Sequence, residues 1–147
     1  MDRTTPIIFF SGMDRTGKST TRKTFAESTN QRYITFDRSF IDNLVYDEMF
    51  RNQILNEWEL FYVMARFFSL TNVYLVRLNL DFKEINRRCK ETEGTEYPMD
   101  ELQKCSQLFD KYFNEAEAFG FTVIVINCDG LTVEEIVKKI VYKVEHV

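Results

Sequence analysis

The chain has 147 residues, 44% of them apolar and 29% charged, which suits one domain with a packed core and excludes a disordered tail protein. Its formal net charge of −4 argues against a protein that coats nucleic acid through a global basic surface. Cys89, Cys105 and Cys128 are odd in number and none stands at metal-ligand spacing, so neither a disulfide framework nor a zinc site is expected; His146, the one histidine, lies at the end of the chain. No apolar run reaches the roughly 18 residues of a membrane span, and MDRTTP lacks the apolar stretch of a secretory leader. A cytoplasmic setting is the expectation.

In chain order, PIIFFSG reads as a central strand between Pro6 and Gly12, and STTRKTFAEST as the helix that follows. QRYITFD is a second strand, rich in β-branched and aromatic residues and ending at Asp37-Arg38-Ser39. The next stretch, to Leu70, has no Gly or Pro and predicts helix, with a break near Asn52; Leu60, Val63, Met64, Phe67 and Phe68 recur at helical spacing. NVYLVRLNL is a third strand. DFKEINRRCKETEG predicts a helix capped by Asp81, with Glu84 three residues on. MDELQKCSQLFDKYFNEAEAFG is a long helix closed by Gly120, FTVIVINCDG a fourth strand and TVEEIVKKIVYKVEHV a last helix. Strands alternating with helices predict an α/β fold, a three-layer α/β/α sandwich around a parallel sheet of about four strands, in one domain over residues 1–147. Ligands of such sheets bind at the carboxyl ends of the strands.

The loop between the first strand and first helix reads Gly12-x-x-x-x-Gly17-Lys18-Ser19, the P-loop pattern in its required setting. Glycines let successive backbone N–H groups curl around a polyphosphate at a helix N-terminus. Lys18 reaches the β- and γ-phosphates, and Ser19 ligates Mg²⁺. Gly12, Thr16, Gly17 and Thr20 complete the candidate ATP cradle. Asp14 and Arg15 inside the loop are unusual. A carboxylate repels phosphate, so Asp14 is expected to face a sugar hydroxyl or a cation, and Arg15 to lie along the transferring phosphoryl group. Asp37, at a neighbouring strand tip, is suited to the Mg²⁺ water shell, and Arg38 to forking onto a phosphate. No Asn-Lys-x-Asp guanine motif of GTPases occurs.

GMDRTGKST resembles the P-loop of thymidylate kinases, and Asp37-Arg38-Ser39 resembles the Asp/Glu-Arg-Tyr/His/Ser corner of thymidylate and deoxynucleoside kinases. The resemblance implies a P-loop NTPase-like fold. It implies that Asp14 contacts a deoxyribose hydroxyl and that Arg15 serves catalysis. It implies that Asp37 supports the metal and Arg38 grips the acceptor or the moving phosphoryl group. Arg87, Arg88 and Lys90 resemble the basic lid of these kinases, here around residues 86–97. Arg87 and Arg88 are the favoured phosphate contacts because Lys90 is followed by Glu91 and Glu93. NCDG (127–130) falls where the adenine ring rests, and Asp42, Asn43 and Tyr46 fall on the acceptor side. Tyr62, Phe67 or Phe68 could stack on a base, though helical spacing favours core.

The expected activity is transfer of the γ-phosphoryl of ATP·Mg²⁺ to a deoxynucleoside monophosphate, catalysed by Lys18, Arg15, Asp37, Arg38 and Arg88. With Ser19, Asp37 makes the metal site. The alternatives are a nucleoside acceptor, a hydroxyl on DNA, or nucleotide binding without efficient transfer. A phosphate acceptor needs no strong base, and no obvious base is present, which favours the monophosphate. The expected partner is a small nucleotide or nucleoside, with a homodimer as the possible assembly, and the small size suggests a viral, phage-like context.

Overall fold

The computed structural model describes residues 5–13, 15–52 and 56–146. Four strands, β1 (Ile7–Ser11), β2 (Ile34–Asp37), β3 (Val73–Asn79) and β4 (Thr122–Asn127), form one all-parallel sheet in the order β2-β1-β3-β4. Six helices accompany them: α1 (Lys18–Ser28), α2 (Phe40–Phe50), α3 (Glu57–Phe67), α4 (Phe82–Glu93), α5 (Met99–Phe119) and α6 (Val133–Glu145). The break foreseen near Asn52 is present as the gap between α2 and α3, and Asn52 takes a left-handed φ of 50°.

Strands in such a sheet are covered on both faces and read as near-continuous apolar runs. The central strand shows this most clearly. Phe10 turns to one face and meets Phe25 of α1 edge-on at 5.6 Å, in the layer that α1 forms with α6. Phe9 turns to the other face, against Phe40 and Phe68 at 6.3 and 5.9 Å, where α2, α3 and α5 pack together. Phe61 of α3 is fully buried there between Phe40, Phe119, Phe121 and Trp58. Arg77 on β3 is a buried cation on the same face; it pairs with Asp110 and lies over the rings of Phe109 and Phe113 at 5.6 and 5.8 Å, so α5 satisfies the charge it covers.

The edge strand β2 lies directly beside β1, so Asp37 and Arg38 end the strand next to the P-loop. Eighteen positions separate Ser19 from Asp37, room for α1 and one strand only. The helix starts follow local chemistry. Ser39 and Asp42 form a capping box on α2, as do Thr132 and Glu135 on α6, and Asn56 and Asp81 cap α3 and α4. Glu84 does not close a box with Asp81; its carboxylate is taken by Arg87 and Arg88 instead. Among the described residues no helix is long and apolar enough to cross a membrane.

Candidate active site

The 12–17 loop joins β1 to α1. Gly12 has φ 151°, and a Cβ there would stand 2.6 Å from the Leu78 carbonyl oxygen, so the loop passes β3 too closely for any side chain. Gly17 (φ 86°) is the N-cap of α1 and offers no side-chain cap, leaving the helix-end N–H groups facing the loop. Within the loop, Thr16 Oγ1 donates to Met13 O at 2.8 Å and Lys18 Nζ to Gly12 O at 2.6 Å. Asp14 lies outside the described residues.

The Asp37-Arg38-Ser39 corner is pinned to this loop by a residue that sequence reasoning placed only on the acceptor side. Asp42, 1% exposed, accepts the Ser39 N–H at 2.8 Å with one carboxylate oxygen and the Gly12 N–H at 3.4 Å with the other. Ser11 and Ser39 hydroxyls meet at 2.8 Å beneath the same junction. Its place three residues after Ser39 was a readable capping signal; its reach to Gly12 was not. Asp37 accepts from Ser19 Oγ at 3.3 Å and pairs with Arg22 Nε at 3.1 Å. Arg22, one turn beyond Ser19 on α1, therefore helps aim Asp37, a role the sequence reading missed.

Arg15, Gly17, Lys18, Ser19, Thr20, Asp37 and Arg38 line one open cleft of about 390 Å³. Arg38 also borders a second bay of about 250 Å³, shared with Tyr46, Phe50 and Arg51. Tyr46 and Phe50, stacked at 5.9 Å, in turn wall a narrower slot of about 80 Å³ with Met13, Tyr97, Leu102 and Cys105 and, as the one acid among its described lining residues, Glu101. Three voids are thus strung in a row, joined first by Arg38 and then by the Tyr46–Phe50 pair. Arg38 holds a left-handed φ of 68° and its guanidinium lies 6.0 Å from the Tyr46 ring. Arg15 has the same φ of 68°. Left-handed backbone at bulky residues is uncommon and is maintained only where surrounding contacts enforce it.

Arg15 borders the cleft while its guanidinium pairs with Glu93 at the end of α4, which raises its pKa through that hydrogen bond and charge. Arg88 donates from Nη1 to the Arg15 carbonyl oxygen at 2.9 Å and from Nε to Glu84 at 3.0 Å, supporting the loop from behind rather than lining the cleft. Arg87 is engaged by Glu84 and Glu91 on the outer surface of α4, and it too lies off the cleft lining. The Glu84 carboxyl falls to about 2 because Arg87 and then Arg88 hydrogen-bond it.

Residues 86–93 are the last two-thirds of α4, and 94–97 form a short return. Asn86 fastens that return: its Oδ1 accepts the Tyr97 N–H at 2.9 Å and its Nδ2 donates to the Tyr97 carbonyl at 3.3 Å, which delivers Tyr97 to the slot. At the NCDG loop, Asp129 accepts the Asp81 N–H at 2.8 Å, and burial followed by the Asp129 charge pushes the Cys128 thiol up to about 11. Tyr62 pairs with Arg66 on an exposed helix face, Phe67 is 76% exposed, and Phe68 packs on Phe9; none lines the row of voids. Asn43 is exposed and also off it.

Oxygen donors suit Mg²⁺, and Ser19 Oγ and Asp37 Oδ2, 3.3 Å apart on the cleft wall, fit that ion. No group of three or more His, Cys, Asp or Glu with metal-site geometry occurs among the described residues.

Several solved structures share this architecture. YorR from Bacillus subtilis, determined in complex with phosphorylated GDP, matches with a TM-score of 0.76 at 20% identity, covering 95% of each chain. Thymidylate kinase from Candida albicans matches at 0.63 and 14% identity, over 95% of this chain and 91% of that one. A gluconokinase from Sinorhizobium meliloti matches at 0.52 and 14% identity, over 98% and 94%. No family model matches the chain, and no curated protein matches it. The four-stranded parallel sheet with helices on both faces is an α/β fold shared with these structures.

Proposed function

We propose that this chain transfers the γ-phosphoryl group of ATP to the phosphate of a nucleoside monophosphate, a deoxynucleotide as the sequence resemblance implies. The observation that carries the reading is the row of three voids joined by Arg38 and the Tyr46–Phe50 pair. A cation-lined cleft, a bay bordered by two guanidinium groups and an aromatic slot follow one another; they would take the triphosphate, the acceptor phosphate and the acceptor base in that order. The fold shared with YorR, whose structure holds phosphorylated GDP, and with thymidylate kinase agrees with it.

Loop amides and Lys18 would hold the β- and γ-phosphates, with Thr16 and Gly17 shaping the turn and Thr20 at the cleft wall. Ser19 and Asp37 would hold Mg²⁺, which neutralises charge on the bridging phosphate oxygens when bound. Arg38 would orient the acceptor phosphate. Arg15 would neutralise charge developing on the transferred group, with Arg88 fixing its backbone; Asp14 is assigned to the sugar by resemblance alone. Closure of the 86–97 segment, which would exclude water, needs Arg87 to leave Glu84 and Glu91 before it can meet phosphate. Asp37 and Asp42 are both committed to hydrogen bonds or ion pairs, so neither is poised as a base; a phosphate acceptor, already ionised at neutral pH, requires none.

The test offers the purified protein γ-labelled ATP and Mg²⁺ with each deoxynucleoside, each deoxynucleoside monophosphate and a short oligonucleotide. Label in a nucleoside diphosphate is the expected product. Label on a nucleoside or on DNA, or release as free phosphate only, refutes the reading.

A further inference from the structure

We propose that the slot beside Tyr46 is a guanine site and that Glu101 is its specificity-determining residue. The inference rests on the monophosphate reading above and adds the identity of the base. Glu101 stands in the first turn of α5 and is half-buried in a slot whose other described lining residues are aromatic, aliphatic or sulfur-bearing. Its carboxylate forms no hydrogen bond or ion pair with the described residues. An ionised carboxylate only accepts hydrogen bonds, and in a mostly apolar setting it needs donors from a ligand or from water.

The geometry of a carboxylate selects among the bases. Its two oxygens are matched by two N–H groups lying side by side. Guanine presents that pair on its pairing edge, at N1–H and the 2-amino group. Adenine and cytosine set one amino group beside a ring acceptor. Thymine carries one N–H between two carbonyl oxygens, and those oxygens would face the carboxylate and be repelled. Glu101 thus attracts guanine and excludes thymine with one side chain. Stacking surfaces on Tyr46 and Phe50 accept any flat base, so they contribute affinity without choosing. Arg38 and Arg51 border the adjoining bay, where the 5′-phosphate of a base seated in the slot would lie.

The experiment measures binding of dGMP, dIMP, dTMP, dAMP and dCMP by titration calorimetry to the wild-type chain and to Glu101→Gln. For the wild type, dGMP should bind about 10- to 100-fold more tightly than dTMP, with dIMP, which keeps N1–H but lacks the 2-amino group, in between. Glu101→Gln replaces one acceptor by a donor at nearly constant size. It should lower dGMP affinity about 10- to 100-fold and bring the dGMP-to-dTMP ratio close to one. Should the variant fail to fold, the wild-type order of dGMP, dIMP and dTMP decides the matter. Equal binding of dTMP and dGMP, or a Gln variant that keeps the wild-type ratio, overturns the role of Glu101 while label transfer to a monophosphate still stands. Absence of binding by every monophosphate overturns both.

Discussion

The phosphate cleft and the aromatic slot are neighbours built on opposite principles. The cleft takes five of its seven described lining residues from positions 15–20 of one loop and helix start, and much of what it offers is backbone N–H and fixed cation. The slot draws its described lining from four places: Met13 of the P-loop, Tyr46 and Phe50 of α2, Tyr97 of the 94–97 return, and Glu101, Leu102 and Cys105 of α5. A polyphosphate is the same on every nucleotide, so a cradle of main-chain dipoles suffices and its shape is fixed locally. A base is recognised by its flat faces and one edge, which demands walls from several directions. Arg38 is the joint between them, bordering both the cleft and the bay before the slot.

Breaking the cleft should have the largest effect. Lys18→Ala removes the ammonium from the β- and γ-phosphates and should lower the transfer rate about 10³-fold or more in the label assay, with the fold intact by circular dichroism. Undiminished transfer would mean that the cleft is not where ATP reacts. Gly12→Ala tests the scaffold beneath it. The new Cβ meets the Leu78 carbonyl oxygen at 2.6 Å with φ at 151°, so unfolding stability in urea should fall by about 3 kcal/mol.

The joint should respond unequally on its two sides. Arg38→Ala should raise the acceptor KM about 10- to 100-fold and the ATP KM far less. Equal changes would remove Arg38 from the acceptor side. Arg38→Gly, which relieves the left-handed φ of 68°, should lose the same binding yet be more stable than Arg38→Ala by up to about 1 kcal/mol.

The smallest expected effect concerns pH and the support behind Arg15. Glu84 has its carboxyl lowered from 4.5 to about 2 by Arg87 and Arg88. A depressed folded-state value means that its contribution is complete above about pH 4.5 and is lost as the pH falls toward 2. The Arg88 Nε–H resonance should therefore shift with a midpoint well below that of an ordinary glutamate, and Glu84→Gln should abolish the shift. These groups are exposed, so global stability should barely respond.

Much of this molecule could be read before any coordinates. The strands around Phe9, Leu75 and Ile124 are apolar runs too short for helices, and their alternation with helical patterns leaves few arrangements other than a parallel sheet. The P-loop was legible because its parts are adjacent in the chain and its conformation is set by glycine. The joining of the Asp37 corner to that loop was not, because Asp42 reaches Gly12 across 30 positions. The engagement of Arg15 by Glu93 spans 78, and no periodicity reports such a contact. Arg87 and Arg88 looked alike in sequence. One turn geometry sends Arg88 to the loop backbone and leaves Arg87 among surface carboxylates.

The sequence by itself determined the layers, the candidate phosphate loop and the chemistry available at each strand end, since these follow from local backbone preference and hydrophobic period. Only the tertiary structure decided which aromatic rings line the slot and which acid stands among them. Met13, Tyr46, Tyr97 and Glu101 become neighbours through packing of α2 and α5 on the sheet, a condition that no local stretch encodes.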